Sequence, residues 1–240
     1  MRVILSIIIW GAAAVLTILV FFSVLFLTIL LFPFDRKRKL CHAQGFWWAD
    51  ALISLNPFWN LKISGLENID AHKAYVMIAN HQSLADIVVV YRTHLQFKWV
   101  AKNSLFKIPV FGWTMLLMKY IKLSRGEFGS IKRVYEEAAS WLRKDISILF
   151  FPEGTRSETD QMNTFKNGAF KLAIKEKKSV LPIYISGTRD LIPKGGWIFK
   201  RRASCRLKVL PSVDTTDFKP EDFSRLKDIV REKLINASLN

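Results

Sequence analysis

Tyr75-Val76-Met77-Ile78-Ala79-Asn80-His81-Gln82-Ser83-Leu84-Ala85-Asp86 is the stretch that decides how the chain is read. Its first five residues form an apolar run of the length and composition of a buried strand. A histidine follows directly, and an aspartate stands five positions later. The end of a buried strand is a rigid place to mount chemistry. A carboxylate beside an imidazole fixes its tautomer and makes it a better base. The sequence marks out no serine nucleophile, so the hydroxyl to be activated would belong to a substrate. Of the four histidines, His42, His72 and His94 have no aspartate at this spacing. One such pair arises by counting alone in roughly one comparable chain in five, so its meaning depends on its company.

Outward from this stretch, short apolar runs alternate with helical ones. Strands are expected at 61–64, 75–79, 97–101, 120–123, 146–151, 180–186 and 205–210. Helices are expected at 84–93, 104–118, 130–144, 164–176 and 221–237. That alternation implies an α/β fold, a mixed but mainly parallel sheet flanked by helices. Ligands of such sheets bind beyond the carboxyl ends of the strands, where His81 would sit.

The chain before residue 59 is different in kind. Residues 3–32 carry no charge. A helix of that length rises roughly 45 Å, more than the ~30 Å hydrocarbon core of a bilayer requires. A secretory signal has a shorter apolar region and a small-residue cleavage site, and none follows here. Pro33 ends the run, and Arg36, Lys37, Arg38 and Lys39 come next, which places that side toward the cytoplasm. Residues 40–55 form a second helix with Leu40, Trp47, Ala51 and Leu55 at helical spacing. It suits a helix lying at a membrane surface, or one packed on the domain core. The expected division is therefore 1–58 for membrane-anchoring helices and 59–240 for an α/β catalytic domain.

The net charge is +16, and Arg2 is the only charged residue before Asp35. So basic a domain favours anionic partners: phospholipid, nucleic acid or acidic small molecules. The cations are dispersed and form no stripe interleaved with aromatics, which argues against nucleic acid. Two cysteines, Cys41 and Cys205, supply neither a disulfide framework nor a metal cluster.

Two further constellations lie on strand ends. The run at 146–151 leads into Pro152-Glu153-Gly154-Thr155-Arg156-Ser157. Gly154 permits close backbone approach, Thr155 offers a hydroxyl, and Arg156 a planar fork suited to phosphate. Taken alone it reads equally as an ordinary strand-to-loop turn. Lys102 follows the strand at 97–101, and Arg125 follows the one at 120–123. Both could converge on an anionic substrate. The apolar stretch Leu105, Phe106, Val110, Phe111, Trp113 and Leu117 reads as core ahead of acyl-chain contact. No phosphate-binding glycine loop of a nucleotide fold is present.

Together, Asn80-His81…Asp86, the Lys102…Pro109…Gly112…Arg125 block, Phe151-Pro152-Glu153-Gly154-Thr155-Arg156 and Val180-Leu181-Pro182-Ile183 resemble, in order and spacing, the four motifs of the glycerolipid acyltransferases. The resemblance is nearest to the bacterial 1-acylglycerol-3-phosphate acyltransferases. The motifs occupy residues 80–183, under half the chain. One departure is that members often carry a glycine shortly before the strand leading to the second-motif arginine, where Met118-Lys119-Tyr120 stands here. The resemblance implies transfer of a fatty acyl group from acyl-carrier protein or acyl-coenzyme A to 1-acylglycerol 3-phosphate, giving phosphatidic acid. His81 would be the general base and Asp86 its orienting partner. Lys102, Arg125, Glu153, Gly154, Thr155 and Arg156 would serve the substrate, with Glu153 holding an arginine or a glycerol hydroxyl. No metal or cofactor is expected. Membrane phospholipid, lysophosphatidic acid and the acyl donor are the expected partners, at the cytoplasmic face of a bacterial inner membrane. Acylation of another lyso-lipid, a thioesterase, and a catalytically silent lipid-binding protein are the competing readings.

Overall fold

The computed structural model describes residues 2–124, 129–159, 161–193 and 195–239. Seven strands form one sheet: β1 (Trp59–Ser64), β2 (Val76–Ala79), β3 (Phe97–Lys102), β4 (Ile121–Leu123), β5 (Ser147–Phe150), β6 (Val180–Ser186) and β7 (Ala203–Val209). The helices are α1 (Arg2–Leu30), α2 (Lys39–Ser54), α3 (Ala85–Val90), α4 (Asn103–Phe106), α5 (Phe111–Leu117), α6 (Ser130–Leu142), α7 (Gly168–Lys175), α8 (Thr188–Leu191) and α9 (Phe223–Leu239).

The spatial order is β1-β7-β6-β2-β5-β3-β4. Every neighbouring pair is parallel except β6 with β7. The carboxyl ends of β2, β3, β4, β5 and β6 therefore lie along one edge. The central strands β2 and β5 are buried at every position because both faces are covered. On β2, Met77 and Ala79 join a core with α1, α2 and α3, whereas Val76 and Ile78 join one with α6, α7 and α9. β1 instead alternates half-buried and exposed residues, since only one of its faces packs.

The expected helix at 104–118 is two short helices. Pro109 cannot continue the hydrogen-bond ladder. Val110 turns to φ 63°, and Gly112 donates to Ile108 at 2.8 Å. A side chain at Gly112 would meet the Phe106 carbonyl at 2.3 Å, so the turn requires glycine there. The helix expected from 164 begins only at Gly168, because the residues before it are held against the end of β5. Lys119, in the Met118-Lys119-Tyr120 stretch where the resemblance would place a glycine, adopts the left-handed φ of 55°. The tight turn into β4 is thus kept without glycine.

α1 and α2 form a hairpin laid along the domain. The Asp35 carboxylate accepts the N–H groups of Lys39 and Leu40 at 2.7 and 3.1 Å, satisfying donors in the first turn of α2. Trp48 donates to Thr17 across the hairpin. Cys41, His42, Gly45 and Ala49 are the buried face of α2, and Leu40 and Trp47 remain exposed. α2 thus packs on the core while turning two large apolar residues outward. His42 Nδ1 meets Tyr120 Oη at 2.9 Å, and Tyr120 hydrogen-bonds Tyr91. Burial holds the His42 imidazole down at about 3, so it is neutral. α1 is one helix long and apolar enough to cross a membrane. Ser6, Ile9, Val20 and Val24 are its buried residues, at positions spread over about 27 Å of helix.

Candidate functional site

Asn80 ends β2 by binding the next strand with its side chain. Its amide donates to the Ile185 carbonyl and accepts the Ile185 N–H, both at 2.8 Å. This fixes the backbone from which His81 projects. Asp86 lies in the first turn of α3, fully buried. Its Oδ2 meets His81 Nδ1 at 2.7 Å and accepts the N–H groups of Gln82 and Ser83 at 2.6 and 2.8 Å. Its Oδ1 accepts the Thr188 hydroxyl. Four donors thus hold one buried carboxylate, the arrangement that lets a charge persist away from water. With Nδ1–H given to Asp86, the basic nitrogen of His81 is Nε2. The ring stacks on Phe151, centroids 4.1 Å apart and planes 24° apart.

The turn after β5 is stapled to the same loop. Glu153 Oε1 accepts the His81 N–H, and Oε2 accepts the Asn163 N–H, each at 2.8 Å. Ser157 N–H donates to the His81 carbonyl at 2.8 Å. Burial pushes the Glu153 carboxyl up, and the two backbone donors oppose that. Glu153, expected on an arginine or a glycerol hydroxyl, here braces two segments, at His81 and at Asn163, through their backbones. Gly154 takes φ 71°, which glycine adopts without strain. A side chain built there would sit 3.0 Å from Lys166 Nζ. Thr155 is exposed and Arg156 half-buried.

Lys102 is the last residue of β3 and is exposed. β5 separates β3 from β2, which sets these strands about 10 Å apart. Lys102 shares the edge that carries His81 without joining the hydrogen bonds of His81. Arg125 lies outside the described residues, two positions past the end of β4. The structure therefore gathers His81, Asp86 and Glu153 with the 154–156 turn, and sets Lys102 farther along the same edge. Among the described residues there is no cluster of three or more histidine, cysteine or acidic side chains able to hold a metal.

Sequence reasoning missed Thr188, Lys166 and Asn163. Thr188 follows Gly187 at the end of β6, and a hydroxyl at a strand end was its only signal. It also missed a cavity of about 520 Å³ between the hairpin and the domain. Leu84, Val88, Trp48, Leu105, Ile108 and Val110 are among its lining residues, and Leu84 is three residues from His81. The volume is in the range of small-molecule pockets. Leu105, Val110 and Phe111, read from sequence as core, face this space, whereas Phe106 and Met115 are packed core.

The acyltransferase family model matches residues 60–186. The chain is 37% identical over 160 residues to the 1-acyl-sn-glycerol-3-phosphate acyltransferase LPAT1 of Arabidopsis thaliana chloroplasts, covering 66% of this chain and 44% of that one. It is 28% identical over 174 residues to the 1-acyl-sn-glycerol-3-phosphate acyltransferase of Borreliella burgdorferi, covering 72% and 69%. The chain spans about half the length of the plant and algal relatives it matches. The crystal structure of the 1-acyl-sn-glycerophosphate (LPA) acyltransferase PlsC from Thermotoga maritima superposes with a TM-score of 0.84 at 28% identity, covering 98% of this chain and 95% of that one. The matched segment runs from β1 to the end of β6 and contains the His81–Asp86 pair and the Glu153–Arg156 turn, and on these grounds the chain belongs to the acyltransferase family.

Proposed function

We propose that this protein transfers a fatty acyl group from a thioester to the free hydroxyl of 1-acylglycerol 3-phosphate, giving phosphatidic acid. The observation that carries the reading is the buried, four-donor Asp86 on His81 Nδ1, beside a turn built from Gly154, Thr155 and Arg156. His81 Nε2 takes the proton of the acceptor hydroxyl as its oxygen attacks the thioester carbonyl. Asp86 stabilises the imidazolium that forms. As the tetrahedral intermediate collapses, His81 returns the proton to the departing thiolate. Such general-base help is worth about 10²–10⁴ in rate. Arg156 and Arg125 are natural ligands for the acceptor's phosphate, with the Gly154 turn open to close approach. Lys102 offers a further positive charge on this edge for the acceptor's phosphate or the developing oxyanion. Glu153 acts by holding the His81 loop to the phosphate turn.

The acyl donor, acyl-carrier protein or acyl-coenzyme A, is a substrate, and the chemistry needs no cofactor. The apolar lining of the cavity beside Leu84 suits an acyl chain. Residues 1–58 serve as the membrane anchor and 59–240 as the catalytic domain. Because the domain packs along α1, the hairpin would lie with its outer face in lipid rather than stand free across the bilayer. The basic cluster after α1 would set the catalytic edge toward the cytoplasmic face of a bacterial inner membrane.

The test is acyl transfer to lysophosphatidic acid by the reconstituted protein, offered acyl-coenzyme A and acyl-carrier protein in parallel, beside His81→Ala. Phosphatidic acid formed by the parent and lost in the variant is the expected result. Acylation of other lyso-lipids only would replace the acceptor, and no acylation at all would leave a lipid-binding protein.

A further inference from the structure

We infer that Phe58, Trp197, Ile198, Arg201 and Arg202 form a second lipid-contacting surface that seats the β1–β7 side of the domain on an anionic bilayer. The inference rests on the membrane reading above and assigns it a site outside the hairpin.

Three large apolar side chains stand out here without a core to enter. Trp197 is 49% exposed, Phe58 46% and Ile198 39%. The guanidinium groups of Arg201 and Arg202 lie over the Phe58 ring, 5.1 and 5.8 Å from its centre. Stacking of this kind leaves the edge of a guanidinium available to an anion. Neither arginine pairs with a carboxylate among the described residues, whereas adjacent Lys200 is engaged by Asp190. Aromatic rings beside unpaired cations are the composition of protein surfaces at headgroup level.

The backbone that carries these side chains is tied down at four points. Trp59 Nε1 donates to the Lys200 carbonyl and Asn56 Nδ2 to the Arg201 carbonyl, both at 3.0 Å. Trp10 Nε1 donates to the Trp197 carbonyl at 2.8 Å, and Phe199 N–H donates to the Ser6 hydroxyl at 2.9 Å. The exposure of Trp197 and the two arginines is therefore built in rather than the fraying of a loop. The last two bonds come from α1, whose Ile4, Ile7 and Ile8 are themselves exposed on the same stretch. The surface is thus continuous with the apolar helix, and its cations fit phosphate-bearing headgroups. Lipid is the occupant that answers both features.

Both native cysteines, Cys41 and Cys205, are buried, so a single introduced thiol can be labelled on the full chain. An environment-sensitive fluorophore is placed at Trp197→Cys and, in a separate sample, at Phe22→Cys on the exposed side of α1. Each is bound to vesicles of phosphatidylcholine and phosphatidylglycerol containing nitroxide-bearing lipid. Quenching of both labels is expected. Quenching at 22 with a water-exposed label at 197 overturns the proposal and leaves the membrane reading intact, assigning this surface to solvent or a protein partner. A label in water at 22 refutes the membrane reading itself. In competition between phosphatidylglycerol-containing and pure phosphatidylcholine vesicles, Arg201→Gln/Arg202→Gln should lower the preference for the anionic ones roughly 30-fold, from about fivefold per surface cation. An unchanged preference removes the headgroup contact.

Discussion

Thr188→Val tests the site at its least obvious support. The substitution exchanges a hydroxyl for a methyl group of the same shape, so packing around α8 is retained. Thr188 is fully buried, as is Asp86, and water has no route to replace the lost donor at Oδ1. A hydrogen bond to a charged group is worth about 1.5–3 kcal/mol. For a chain of this size that corresponds to a fall in melting temperature of about 3–12 °C. The Gln82 and Ser83 N–H groups still hold Oδ2, so His81 keeps its partner but the carboxylate loses the contact that fixes its rotation. A loss of about 1.4 kcal/mol in alignment lowers kcat tenfold. The acceptor KM should hold, since Thr188 makes no hydrogen bond with the 153–157 turn. Melting in a fixed detergent and steady-state acyl transfer are measured on wild type, Thr188→Val and Thr188→Ser, the last keeping the donor. A valine variant with wild-type melting and kcat would refute the argument. A lowered melting temperature with unchanged kcat would make Thr188 a brace of the fold alone.

Three other outcomes follow from the geometry. Gly45→Ala should destabilise the protein by about 1–3 kcal/mol, measured by chemical unfolding, because overpacking here cannot relax: the new Cβ would meet Tyr91 Cε1 at 2.4 Å, and that ring is held by Tyr120. Gly154→Ala should raise the KM for lysophosphatidic acid and leave that for the acyl donor unchanged, since a left-handed non-glycine residue costs about 1–2 kcal/mol in a turn proposed to meet the phosphate. Lys98 is fully buried, donates to the Met118 carbonyl at 2.7 Å, and is brought down to about 7 by burial, with Asp35 acting in the opposite sense. The unfolded chain therefore binds one more proton than the folded one between about pH 7 and the ordinary lysine range, and stability should rise with pH across that window. Melting of wild type should climb relative to Lys98→Met from pH 7 to 9, and parallel curves would refute the buried-cation argument.

The strands and the His81–Asp86 pair were legible because they are local. Apolar runs reported all seven strands, and a five-residue spacing reported a contact within one turn. The break at Pro109–Val110 was visible as a proline and overlooked because the apolar periodicity continued through it. Thr188 could not be found this way: it reaches Asp86 across 102 positions, and nothing beside it in sequence says so. The same holds for Glu153, whose partners His81 and Asn163 are fixed by folding rather than spacing. The stretch from Leu105 to Leu117 was ambiguous for a physical reason. A residue facing an apolar cavity and one packed in the core obey the same hydrophobic pattern, and only the position of α1 and α2 separates them.

The pairing of β1 with β7 has a consequence for synthesis. Trp59 lies opposite Ala203, about 140 residues later, and the α1 contacts at Trp197 and Phe199 arrive at the same late stage. At about 5–20 residues per second, roughly 7–30 s separate emergence of the first strand from that of its partner. During that interval α1 lacks its docking segment, and β1, with Leu61 and Ile63, lacks its neighbouring strand. On the membrane reading proposed above, lipid is the solvent in which the first sixty residues can wait without aggregating, so early capture by a bilayer should raise the yield of folded chain, and synthesis without one should lower it.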